Sequence, residues 1–204
     1  MTVLVLTVDQ RSSRGAPDRV PGALAALEAL PVTPLLAFER TAGDEFQGVL
    51  DDPRALAPLV ELLLRDDAWN IGLGIGDVDL PHPASARAGN GPAYVRAREA
   101  VTAAKTSPWH LRVSGPEPTA RDLESTLWLW AALLGRRTPR GWEVVDLVDE
   151  GLTYEEAGRR LGIGQSAVSQ RAQAAGLVEG RRARELVTHL AAGLLGPGSV
   201  GQDG

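Results

Sequence analysis

The chain has 204 residues, 44% hydrophobic and 23% charged, a globular balance that argues against wholesale disorder. Cysteine is absent and the three histidines, His82, His110 and His189, lack zinc-ligand spacing, which excludes disulfides and thiolate zinc sites. The net charge is -5 and the longest clean apolar run is only Leu127 to Leu134, too short to span a bilayer; with no basic stretch of a signal peptide at the start, a cytoplasmic protein with no membrane partner is expected.

Residues 2–8, β-branched and apolar, predict a buried strand that ends at Asp9. A loop over 10–17 leads to a helix over 18–30, with Val20, Leu24, Leu27 and Leu30 at helical spacing and Pro31 and Pro34 as stops. Residues 35–41 and 45–50 predict a hairpin around Ala42-Gly43-Asp44. A helix over 53–65 carries Leu56, Leu59, Val60, Leu63 and Leu64 on one face. From Asn70 to Val78 the isoleucines and Leu73 alternate with glycines, as in a strand with close backbone neighbours. A loop over 80–91, a helix over 92–105 with Pro92 in its first turn and a short strand from Trp109 to Val113 complete the first unit.

The order β-α-β-β-α-β predicts an α+β domain of ferredoxin-like, split βαβ type over 1–114. Gly115 to Pro118 breaks the chain and suggests a hinge, with a connector helix over 119–135 inside the segment 115–138. That helix is too apolar for a solvated spacer; it either packs on a domain or forms a dimer interface. Helices over 139–150, 153–161, 165–175 and 181–195 predict an all-α domain over 139–195, and 196–204 reads as a disordered tail.

The most specific motif lies between Gly151 and Gly176. Thr153 and Glu156 have capping-box spacing. Gly162 suits a turn that needs a positive φ. Ile163, Val168 and Ala172 pack a second helix on a first, with the small Ala157 at the crossing. The second helix then exposes Gln165, Ser166, Ser169, Gln170 and Gln173, with Arg171 beside them, side chains suited to base edges and phosphates in a major groove. Residues 157–184 hold six arginines against Glu179, a local charge of +5, and Arg181, Arg182 and Arg184 suit phosphate contacts. The stretch closely resembles the helix-turn-helix of bacterial transcription factors of the sigma-factor region 4 kind, which implies double-stranded DNA as partner. A helical hairpin with a solvated arginine face is the plainer alternative.

In the first unit Asp9 at a strand end and Asp44 on the hairpin would converge, with Glu45 next in line. Hard oxygen ligands so placed suit Mg²⁺, which would hold substrate phosphates; a Gly-Asp turn is also simply a good turn. Gly43 would let a ligand approach the backbone, and Arg11, Arg14, Arg19, Arg96 and Arg98 could grip phosphates or form surface ion pairs.

Val5-Leu-Thr-Val-Asp9, Ala42-Gly-Asp-Glu-Phe-Gln47, Ile71-Gly-Leu-Gly-Ile-Gly76 and Asn90-Gly-Pro-Ala-Tyr-Val-Arg-Ala-Arg-Glu99 occur in this order. Together they resemble the SatD family, which pairs such a domain with a C-terminal helix-turn-helix. That family resembles the palm of nucleotidyl cyclases and GGDEF domains. The resemblance implies metal binding at Asp9 and Asp44, with Glu45 next in line; Gly43, Arg11, Arg14, Arg96 and Arg98 are candidates, from their own chemistry, for a nucleotide site around it. No catalytic residue is singled out.

The expected function is that of a DNA-binding transcriptional regulator whose cyclase-like first domain binds a nucleotide or metal or serves for dimerisation. The paired half-sites typical of helix-turn-helix proteins lead to a homodimer. The alternative is an Mg²⁺-dependent nucleotidyl-transfer or cyclase enzyme targeted by its helical domain. A third reading makes both units protein-contact scaffolds.

Overall fold

The computed structural model describes residues 1–13, 15–79 and 84–196. Strand β1 (Thr2–Gln10) lies at the centre of a five-stranded mixed sheet. Its six consecutive buried residues, Val3 to Val8, are walled in on both faces, which is why the strand reads as continuous apolar sequence rather than as an alternation. Helix α1 (Val20–Glu28) leads to β2 (Leu36–Arg40) and β3 (Glu45–Leu50). Helix α2 (Leu56–Asp66) follows a short helical turn and leads to β4 (Trp69–Asp77). Helix α3 (Pro92–Ala104) returns to β5 (Leu111–Ser114).

The strand order is β2-β3-β1-β4-β5. β1 runs antiparallel to both β3 and β4, and β5 runs parallel to β4. The register sets Asp9 opposite Glu45 on one side and opposite Asn70 on the other. These three residues therefore share one face of the sheet at one end.

The two faces carry different layers. Leu4, Leu6 and Val8 join the larger core, with α1 and α2. Val3, Val5 and Val49 join a smaller cluster with Ala93, Tyr94 and Ala97 of α3. The glycines of β4 make this second layer thin. A Cβ at Gly72 would stand 2.2 Å from the Val101 nitrogen, and one at Gly74 2.2 Å from the Ala93 oxygen. Both distances are far inside van der Waals contact, so only glycine lets α3 lie this close on β4.

Five helices follow: α4 (Thr119–Leu134), α5 (Pro139–Asp149), α6 (Tyr154–Leu161), α7 (Gln165–Ala174) and α8 (Leu177–Leu195). The apolar connector packs rather than standing clear. Leu123, Leu127, Trp130 and Leu134 of α4 and Val187, Ala191, Leu194 and Leu195 of α8 belong to the larger core of the sheet. A separate cluster joins Val144 and Val145 of α5, Ala157 of α6, and Val168 and Ala172 of α7.

Several boundaries differ from the sequence reading by a few residues. The last helix begins at Leu177, four residues before the expected 181. Gly180 lies inside it, its amide donating to the Gly176 carbonyl at 2.8 Å, and the Arg137 Nη2 stands 2.3 Å from where a Cβ would be, so glycine fits there best. The last strand begins at Leu111 rather than Trp109, because Trp109 and His110 take left-handed backbone angles, φ 57° and 50°. Residues 197–204, most of the expected tail, lie outside the described residues, as does Arg14. Among the described residues no helix is long and apolar enough to cross a membrane.

Candidate functional site

Two places gather polar side chains without an obvious role in folding. The first is the exposed face of α7. Thr153 starts α6 by accepting from the Glu156 amide at 3.3 Å, while Glu156 Oε2 accepts from the Thr153 amide at 2.8 Å. This capping box satisfies two donors that the first turn would otherwise leave bare. The Thr153 amide first, and second the Thr153 hydroxyl, which donates to Glu156 Oε2 at 2.7 Å, hold the Glu156 carboxyl below its usual pKa. Gly162 ends α6 at φ 67°. The chain then turns so tightly that a Cβ at Gly158 would lie 2.7 Å from the Ile163 oxygen.

With Val168 and Ala172 turned inward, Gln165, Ser166, Ser169, Gln170 and Gln173 are all exposed and Arg171 is half-buried. Arg160, exposed on the last turn of α6, and Arg171 form no ion pair among the described residues. The arginines of α8 are placed otherwise. Arg181 bonds Asp149 at 2.9 Å, Arg182 pairs with Glu185 at 2.7 Å, and Arg184 is held by Glu61 and Asp149. Of the six arginines in the basic stretch, these three already have carboxylate partners.

The second place is a polar cleft of about 590 Å³ at the end of the sheet, whose lining includes Asp9, Asp44, Asn70, Lys105, His110 and Arg11. The Gln10 amide donates to the Asp44 carbonyl at 3.1 Å, which draws the hairpin turn to the end of β1. Asp9 and Asp44 thus share one cleft. The Asp9 carboxylate accepts from Asn70 Nδ2 at 3.1 Å and meets Lys105 Nζ at 3.2 Å.

Other sequence-predicted residues are placed apart. Glu45, on the Asp9 face, accepts from the Thr41 hydroxyl at 2.6 Å. Arg11 reaches the cleft but bonds Asp67 at 2.7 Å, and Arg19 is paired with Asp66. Arg96 donates to the Ile75 carbonyl at 2.6 Å, toward the opposite end of the sheet, and Arg98 is exposed on α3. Gly43 holds the turn at φ 58°, its carbonyl accepting from Arg40.

Asn70, Lys105 and His110 are the residues that sequence reasoning missed. Register alone could have found Asn70, since it stands opposite Asp9. Lys105 is the only lysine in the chain. His110 buries its Nδ1 without a partner among the described residues, and burial, with the Arg11 charge second, holds its pKa below the usual value.

The carboxylates that could hold Mg²⁺ are partly engaged: an ammonium and an amide meet Asp9 and a hydroxyl meets Glu45, while Asp44 lines the same cleft. Mg²⁺ takes one or two carboxylates and completes its shell with waters and phosphates.

No family model, no curated protein and no solved structure matches the chain.

Proposed function

We propose that the chain is a cytoplasmic DNA-binding regulator that reads double-stranded DNA through α6 and α7 as a helix-turn-helix. The observation that carries this reading is the face of α7. Five short polar or amide side chains are exposed on one side of a helix that is braced through Val168 and Ala172. Side chains of this type match base-edge donors and acceptors in a major groove. Arg160 and Arg171 flank that face and suit phosphates.

The strand order, with β1 antiparallel between β3 and β4, supports a ferredoxin-like, palm-like first unit over 1–114. Its cleft would receive the nucleotide, with Lys105 and Arg11 supplying positive charge. Leu129 on α4 is 76% exposed, and Val178 and Leu186 on α8 are exposed as well. A homodimer would cover them and present two α7 helices to half-sites about 34 Å apart.

The test is fluorescence anisotropy with a random-sequence duplex at rising salt. Binding should weaken linearly on a log-log scale, and Arg160→Ala should lower the slope by about 1. Absence of binding at low salt would sink the reading. A second reading, nucleotidyl transfer, draws on the shared cleft of Asp9 and Asp44. Nucleoside triphosphate with Mg²⁺ at high protein concentration tests it, and the absence of product would remove it.

A further inference from the structure

The junction between the sheet unit and α5–α7 contains a charge cluster that neither surface uses. Arg137, in the loop after α4, has a side chain only 1% exposed. Its Nε donates to the Ala175 carbonyl at 2.8 Å and its Nη2 to the Gly176 carbonyl at 3.4 Å. Those carbonyls belong to the two residues that follow α7. Its Nη1 reaches Glu61 Oε1 of α2 at 3.2 Å, and the guanidinium stacks on Trp142 of α5, 4.5 Å from the ring centre.

Glu61 is shared. Arg184 of α8 donates to both of its oxygens, at 2.6 and 2.8 Å. Arg184 also meets Asp149, at the end of α5, at 2.8 Å. Burial opposes the charge on Arg184, but Glu61 and Asp149 outweigh it and hold its pKa above the usual value. One carboxylate of the sheet unit thus ties together the ends of α5 and α7 and the middle of α8.

A planar guanidinium with five fixed donors suits this arrangement, because it serves two carbonyls and a carboxylate from one rigid plane. A buried ion pair is weak evidence for stability, since replacing such a pair by apolar residues is often neutral or better. Its best-attested use is to fix one geometry among several. Gly180 adds a second sign of fit. A Cβ there would collide with Arg137 Nη2, so the helix leaves room for this one side chain.

We infer that Arg137 and Glu61 are positioning residues that set the orientation of α7 on the sheet unit, and through it the presentation of the DNA-reading face. The inference rests on the DNA-binding reading of α7. It also identifies α2, which borders a cleft of about 1130 Å³ together with Trp142, Asp149 and Arg184, as the element whose movement would be transmitted to α7.

The absence of cysteine makes the test direct. Spin labels at Thr102→Cys and Ala174→Cys, both exposed positions, report the distance between α3 and the end of α7 in the full chain. Wild type should give one narrow distribution. Glu61→Gln and Arg137→Lys should broaden or shift it while keeping native circular dichroism. The lysine loses the fork despite keeping the charge. Unlabelled Glu61→Gln should bind a random-sequence duplex several-fold more weakly. Arg19→Gln, which breaks a surface pair inside the sheet unit, should change neither readout.

A purely structural role would lower the melting temperature and leave the distribution narrow, and that result overturns the inference. Unfolding of both variants overturns it too, because it would assign the pair to global stability. If wild type binds no duplex while the variants broaden the distance, the DNA reading fails and the positioning stands.

Discussion

His110 and Lys105 give the sheet-end cleft its character, and each makes a distinct expectation at the scale of one side chain. Burial lowers the His110 pKa below its ordinary 6.5. The unfolded chain therefore binds the proton more readily than the folded one. The stabilisation is fully present above pH 6.5 and is lost as pH falls through the folded value. The melting temperature of wild type should drop from pH 7 to pH 5 more steeply than that of His110→Gln; parallel curves would contradict this. Asp18 and Asp52, held low chiefly by hydrogen bonds from Arg40 and Arg54 against the opposing effect of burial, add their own loss only below their ordinary 3.8, so the two windows separate. Lys105 occupies the cation position at Asp9. Lys105→Met should gain Mn²⁺ binding, read by electron paramagnetic resonance, that Asp9→Asn then abolishes. Wild type binding Mn²⁺ through Asp9 would show that the ammonium does not exclude the metal.

At the scale of elements, packing of glycine against backbone decides more than propensity. Gly74→Ala would drive a methyl into the Ala93 carbonyl, and the destabilisation should be about 2 kcal/mol or more in urea titration. A change within a few tenths would mean that α3 can move away from β4. Gly164 is the opposite case. It caps α7 in an extended conformation, without a side-chain bond and with nothing within 4 Å of an added Cβ. Gly164→Ser should therefore stabilise by a few tenths of a kcal/mol, and Thr153→Ala should cost about 1 kcal/mol through loss of the α6 cap. Most elements were legible in the sequence because their signals are local. The glycine alternation of β4, the proline at the start of α3 and the Thr153-x-x-Glu156 box each carry their own geometry. The start of α8 was not legible, because Gly176 and Gly180 carry no local helix signal, and what excludes a side chain at Gly180 is Arg137, forty-three residues earlier in the chain. The cleft was half legible. Asp9 and Asp44 followed from topology, whereas Lys105 and Asn70 depend on where α3 ends and how β4 registers, which no local pattern encodes.

For the molecule as a whole, the break at 115–118 does not separate two cores. α4 and α8 complete the larger core of the sheet, and only α5–α7 form a cluster of their own. That cluster meets the sheet unit through side chains with defined geometry: Arg65 bonds Asp146 in a bidentate pair and stacks over Trp142, and Arg137 meets Glu61. Any transmission from the first unit to α7 would run through this contact with α2, and would require a ligand that binds two arrangements with different affinity. The net charge of -5 sets a further condition. On the proposed DNA-binding reading, association would proceed through local arginines such as Arg160 against this overall charge and should fall with salt.

The central claim is that the polar row of α7 faces DNA. Amide chemical-shift mapping of the full chain during titration with a short duplex tests it most directly. The largest changes are expected at 165–173 and around Arg160, with the amides of β1 and the sheet-end cleft unmoved. Shifts confined to the sheet unit, or none at α7 when the duplex is in excess, would contradict it.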